Sequence, residues 1–210
     1  MFGFFGNNKL KQVGEKSASY LSCIVIFGPN YIDDINDMSS LMNYYDNLDK
    51  GISVTNDNLH IKSFCIEHAN LDNKTFTQFY NLIYKDLICL RMYVIEQIIS
   101  LKFTSDKKYI LSPFFDELRE KYSNVIDKHL APDPGQYLER RYTIFNQYLK
   151  EAGPINSYNP VKSMKFASDN IITNLILLGG YQAYSPFIDN MYKQEMNDVI
   201  SCVNTCFNEY

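Results

Sequence analysis

No stretch of this 210-residue chain approaches the roughly 20 consecutive apolar residues that span a bilayer, so no membrane-crossing helix is expected. Arginine is scarce. Arg91, Arg119, Arg140 and Arg141 are the whole set, and charges of both signs are interspersed around a net of -4. Nucleic acid requires a concentrated basic surface, so a nucleic-acid partner is not expected either. Cysteine is sparse and odd in number, five at irregular spacing. A chain this long does not need disulfide staples, which makes reduced thiols and a cytoplasmic setting the expectation. Long polar or Pro/Gly-rich stretches are missing too. With 46% apolar residues the chain can bury one core, and a single domain over 1–210 is expected.

The familiar catalytic signatures are also absent. No serine sits in a nucleophile elbow, no Gly-rich phosphate loop follows a strand, HExxH does not occur, and no fixed-period repeat marks a solenoid. Neither a catalytic residue nor a cofactor is assigned on this basis. An acid–base site need not leave a motif, so catalysis is disfavoured rather than excluded.

What is present is helical periodicity. Placing apolar residues at about 100° per residue gives one-sided stripes along most of the chain. Residues 8 to 27 align Leu10, Val13, Gly14, Ser17, Leu21, Ile24 and Val25, and the small members would let another helix approach closely. Gly28-Pro29 ends that helix. The run "SYLSCIVIFG" within it follows Lys9, Lys11 and Lys16 and looks like an export leader, but it lacks a small-x-small cleavage site and reads as part of the amphipathic helix. Asn30 can cap a second helix that ends before Gly51. Residues 52–66 read as a short β-hairpin, with a helix over 59–69 as the competing reading.

Residues 74 to 103 predict the longest helix, with Leu87, Leu90, Val94, Ile98 and Leu101 on its main face and more apolar residues on its flanks. A helix apolar over so much of its circumference belongs in the middle of a bundle. Ser112-Pro113 reads as an N-cap and first position, starting a helix that runs to about Leu130, where "APDPG" stops it. Further helices are expected over 136–152, from Asn159-Pro160 to about Tyr184, and from Ser185-Pro186 onward. The predicted architecture is an all-α, single-domain bundle of about six or seven helices with one short β-hairpin near 52–66.

One stretch bears a catalytic spacing. In "YIDDIND", Asp33, Asp34 and Asp37 stand in the DDxxD pattern, which resembles that of the class I terpene and prenyl synthases. Carboxylates at i and i+4 share a helix face and suit Mg²⁺ bridging to a diphosphate. The resemblance implies a second metal site, and "NDVISCVNT" matches its NDxxSxxxE triad at Asn197, Asp198 and Ser201. Thr205 stands where the glutamate should be. In both helices these residues fall away from the apolar stripe, so Asn197, Ser201 and Thr205 are expected to face water. The three aspartates read better as an acidic N-terminal face that complements the helix dipole.

Other ligand sets are thinner. Cys65 and His68, with His60 and His129, have a tolerable spacing for zinc but lack a second tight pair. Cys202 and Cys206 read as small core residues. Gly179-Gly180 reads as a helix contact.

The anomaly is arginine on apolar faces. Arg141 falls within the arc of Tyr137, Leu138, Tyr142 and Phe145, and Arg91 at the edge of the central helix's main face. Glu195 and His129 likewise fall within apolar arcs. A buried guanidinium needs a partner. Internal pairs are expected, Arg141 with Glu195 or Arg91 with Asp86, or else a side chain that snorkels to water. The alternative is a polar pocket in which Arg91 and Arg141, with His129, Glu195 and Tyr142, receive a small carboxylate or phosphate.

The leading expectation for function is a non-catalytic interaction or regulatory protein whose partner is another protein or a second copy of itself. "MFGFF" at the chain start and the 17 tyrosines are residues suited to contact surfaces. The abundance of Lys, Asn, Ile and Tyr is that of a low-GC bacterium or its phage. The anionic-ligand binder is the runner-up, and a Mg-dependent diphosphate enzyme is third.

Overall fold

A computed structural model describes residues 3–29, 73–130, 132–152 and 185–208 of the chain. They form five helices, and no strand occurs among the described residues. These are α1 (Gly3–Phe27), α2 (Asn73–Phe103), α3 (Lys108–Leu130), α4 (Pro134–Ala152) and α5 (Ser185–Cys206), with a 3-10 turn at Thr104–Asp106 between α2 and α3. The fold is all-α, and no described helix is long and apolar enough to cross a membrane. The helix expected from Asn30, the hairpin near 52–66 with its helical alternative, and the helix from Asn159 lie outside the described residues.

α2 is the hub and packs against each of the other four helices. Its sequence explains the position. Leu87, Ile88, Cys89, Leu90, Met92, Tyr93, Val94 and Ile95 are all buried, so no side of this stretch is left to water. Contacts fix the directions of the neighbours. α1 runs antiparallel to α2, its C-terminus meeting Tyr84 and Arg91. α4 and α5 run parallel to α2, because Asp86 meets Arg141 and Tyr93 meets Asn146 further along, while Arg91 meets Glu195 and Phe103 meets Phe207.

α1 and α3 lie side by side, and here the expected close approach is found. A methyl group built on Gly14 collides with the carbonyl oxygen of Tyr109 and stands 3.0 Å from its carbon and 3.1 Å from the Ile110 Cα. The corresponding Cα–H therefore points at that oxygen as a weak donor. Ser17 donates to the Gly14 carbonyl at 3.2 Å, so its hydroxyl is satisfied locally and leaves the seam narrow. Cys23 and Phe27 meet Tyr122 further along, which makes the two helices parallel.

Three helix limits differ from expectation. α1 begins at Gly3 rather than at residue 8, so Phe4 and Phe5 of "MFGFF" are in its first turns. α3 starts at Lys108, not at Ser112, and Pro113 lies inside it. The chain is already turning when it enters α3, since the amides of Ile110 and Leu111 donate to the Lys107 carbonyl. Pro113 lacks the N–H that would bond the Tyr109 carbonyl four residues back, and that is the carbonyl facing Gly14. α4 starts at Pro134 rather than Gln136, because Asp133 is an N-cap, its Oδ1 accepting from the Gln136 amide at 2.9 Å with proline next in line.

The ends of α1 and α5 are closed by cations from α2. Gly28, with φ +91°, turns the chain out of α1, and Arg91 donates to the Val25 carbonyl at 3.0 Å. Lys102 donates to the Phe207 carbonyl just past α5. Both cations meet the negative end of a helix dipole. Leu101, expected on the buried face of α2, is 52% exposed. The last turn is sealed instead by Phe103, edge-to-face on Phe207 at 5.2 Å.

Candidate functional site

Two buried ionic centres flank α2. Asp86 and Arg91 are five residues apart, which turns them roughly 140° from one another around the helix. One centre faces α4 and the other faces α1 and α5.

The first centre is Asp86 with Arg141. Both are buried, and the guanidinium engages both carboxylate oxygens, Nη2 donating to Oδ2 at 2.7 Å and Nε facing Oδ1. One charge-assisted hydrogen bond and the ion contact beside it join the pair, and a permanently charged, planar guanidinium suits arginine to a buried carboxylate. The guanidinium also lies 5.0 Å from the Phe145 ring centroid. Around the pair runs a layer of aromatic and polar groups. Lys85 Nζ sits 3.9 Å above the Tyr137 ring, and Tyr93 donates to Asn146 Oδ1 at 2.9 Å. Tyr93 also stands edge-on to Tyr142 at 5.1 Å, and Tyr142 hydrogen-bonds Glu96.

Burial sets the ionisation of this layer. Desolvation raises the phenols of Tyr137 and Tyr142, reinforced by Asp86 beside the first and Glu96 beside the second. It raises the Cys89 thiol in the same way, with Asp86 adding to the effect and Arg141 opposing it. Lys85 is shifted down by desolvation, against the pull of Cys89 and Asp86. The thiol and phenols are therefore held neutral, which suits packing and hydrogen bonding rather than nucleophilic attack.

The second centre is Arg91 with Glu195. Nε donates to Oε1 at 2.5 Å, and Nη1 donates to the Val25 carbonyl and, more weakly at 3.5 Å, to that of Ile26. Tyr84 donates to the Ile26 carbonyl at 2.9 Å and stacks edge-on against His129 at 4.8 Å. Gly28 provides the room. A methyl group there would stand 3.0 Å from Arg91 Nη2 and 3.5 Å from Glu195 Oε1.

Thus the structure brings His129, Arg91 and Glu195 together at the C-terminus of α1, and puts Arg141 and Tyr142 at the other seam. The internal pairs were expected with the partners exchanged: Arg91 takes Glu195 and Arg141 takes Asp86. Periodicity gives the direction in which a side chain leaves its helix, not which helix lies there. Tyr84, Gly28 and Lys85 were not anticipated as members. Their signal, a tyrosine one helical repeat before Arg91 and a lysine adjoining Asp86, is readable only once the neighbours are known.

The residues of the diphosphate motif divide differently. Asn197, Ser201 and Thr205 are exposed, as the helical arc requires, and Asp198 is half-buried. Asp33, Asp34 and Asp37 lie outside the described residues, as do His60, Cys65, His68 and Gly179-Gly180. Among the described residues no group of three or more His, Cys, Asp or Glu side chains could hold a metal ion, and Cys202 and Cys206 are half-buried. No family model, curated protein or solved structure matches this chain.

Proposed function

We propose that this chain is a non-catalytic helical protein that acts by binding another protein or a second copy of itself. What supports the reading is that both buried guanidinium groups are engaged from within the chain, Arg141 by Asp86 and Arg91 by Glu195 and the end of α1. Their burial thus has a structural reason without a ligand. The same proposal includes a single domain of about six or seven helices with a hairpin near 52–66, a cytoplasmic setting and a low-GC bacterial or phage source.

Native mass spectrometry of gently purified protein tests it. The expected species are the bare chain, its homodimer, or a complex with another whole protein, and removing residues 1–6 should weaken any such assembly. A retained small mass would overturn the reading.

A second reading, a binder of small anions, is favoured by one observation. The Glu195 side chain is 14% exposed against 2% for Asp86, so an entering carboxylate or phosphate has a route to Arg91 by displacing Glu195. Titration with inorganic phosphate checks this: Glu195→Gln should tighten binding and Arg91→Met should abolish it. The diphosphate-enzyme reading stays third and rests on the aspartates at 33, 34 and 37 alone.

A further inference from the structure

The two seams of the bundle differ in what happens when they part. α1 and α3 share a far more extensive interface than α2 and α4 do, and Leu21, Val25, Phe114, Leu118 and Tyr122 on those two helices are all buried. Separating α4 from α2 exposes less on the α4 side. Among the described side chains of α4 only Arg141 and Phe145 are fully buried, and the rest of its inner face, Tyr137, Leu138, Tyr142 and Ile144, is already half-buried.

The chemistry of the pair sharpens the difference. Burying a carboxylate and a guanidinium costs much of what their attraction contributes, and that hydration is recovered by both charges when the seam opens. Apolar surface gains nothing of the kind from water. α4 is therefore joined to the hub by a contact whose opening water favours.

We infer that α4 is a release element: the bundle opens locally at the α2–α4 seam before the α1–α2–α3 core unfolds, with Asp86–Arg141 as the latch. The inference stands whether or not the proposed function holds, since it concerns only the order in which the helices part. It follows the general pattern in which moving elements are those with few fully buried apolar contacts.

The chain carries its own reporter. Cys89 is 0% exposed and lies in this seam, one turn from Asp86 and within electrostatic reach of Arg141, Tyr137 and Tyr142. It can be alkylated only when the seam opens or the whole chain unfolds.

The experiment pulses the full chain with iodoacetamide in native buffer and reads Cys89 by peptide mass spectrometry, normalised to the unfolded chain. Hydrogen exchange at amides 139–147 and 21–27 is followed in parallel. The expected result is Cys89 labelling at least tenfold faster than global unfolding. Amides 139–147 should exchange on the same scale as the labelling and 21–27 should remain protected.

The double variant Asp86→Leu, Arg141→Met decides the latch. It replaces the ions by apolar groups of similar reach and should slow Cys89 labelling at least tenfold. Asp86→Asn, which strands the arginine, should accelerate it. Labelling of Cys89 no faster than global unfolding, or amides 139–147 exchanging together with 21–27, overturns the release element. A double variant labelled as fast as the natural chain overturns the latch. If Asp86→Asn does not fold, the labelling rates of the double variant and the natural chain still decide between a latch and none.

Discussion

The α1–α3 seam and the α2–α4 seam hold helices by opposite means. The first is built by removing atoms: Gly14 presents only hydrogen to the Tyr109 carbonyl, and Ser17 folds its hydroxyl back onto its own helix. The second is built by adding chemistry, with the Asp86–Arg141 ion pair, a lysine on a tyrosine ring and a tyrosine pair of which Tyr93 bonds Asn146. A small-residue seam fails when something is inserted, and a polar seam fails when one partner is taken away. The two respond to different substitutions for that reason.

The polar seam should give the largest effect. Arg141→Met alone leaves Asp86 buried and uncompensated and should lower the unfolding free energy by about 3–5 kcal/mol, measured by urea denaturation. Adding Asp86→Leu should restore most of that loss, and a double variant as unstable as the single would break the comparison. Gly14→Ala should cost about 3 kcal/mol by forcing α1 and α3 apart, whereas the same change in a roomy helix would stabilise. An unchanged midpoint would mean that the helices separate freely.

Gly28→Ala is expected to cost about 2 kcal/mol, since it puts a side chain on a φ of +91° and a methyl against Arg91. The loss should be no larger in an Arg91→Met background, where the guanidinium is gone. Alkali should act on both seams, because burial also raises the Tyr122 phenol, which meets Cys23 between α1 and α3. Tyr137 and Tyr142 have folded pKa values raised above the ordinary 10.0, and Cys89 above 9.0. A raised folded pKa contributes stability that is complete below the unfolded value and is lost as pH rises toward the folded one, because the unfolded chain releases its protons first. Stability should therefore fall from about pH 9 upward, steepening beyond pH 10 by about 1.4 kcal/mol per pH unit for each buried phenol. Tyr142→Phe should flatten that decline, as a pH series of thermal melts would reveal.

The smallest effect is a gain. The Ser22 hydroxyl in α1 is 0% exposed and lacks a hydrogen-bond partner among the described residues, so Ser22→Ala should stabilise by about 1 kcal/mol. A loss instead would show that the small-residue helix uses this hydroxyl.

Much of this was legible beforehand. The stripe from Leu10 to Val25, the all-round apolarity of α2, the burial of Arg91 and Arg141 and the outward direction of Asn197, Ser201 and Thr205 all follow from the 3.6-residue period. Local end signals were uneven. Gly28 and Ser185-Pro186 marked true helix ends, but Ser112-Pro113 did not, because the one bond Pro113 forgoes is to the Tyr109 carbonyl, which faces Gly14 of α1. Leu101 failed for a different cause: periodicity continues to the last turn of a helix whether or not a neighbour still covers it.

What the sequence by itself determined is the class of fold, the presence of the described helices and the side from which each residue leaves its helix, because these depend on neighbours within a few positions along the chain. Only the tertiary structure decided that Asp86 meets Arg141, that Glu195 meets Arg91 at the end of α1, and that Gly14 faces the carbonyl Pro113 cannot bond. Those pairings join residues 55 and 104 positions apart for the ions and about as far for the backbone contact. Charge and size state that a partner is required, and the packing of whole helices determines which one arrives.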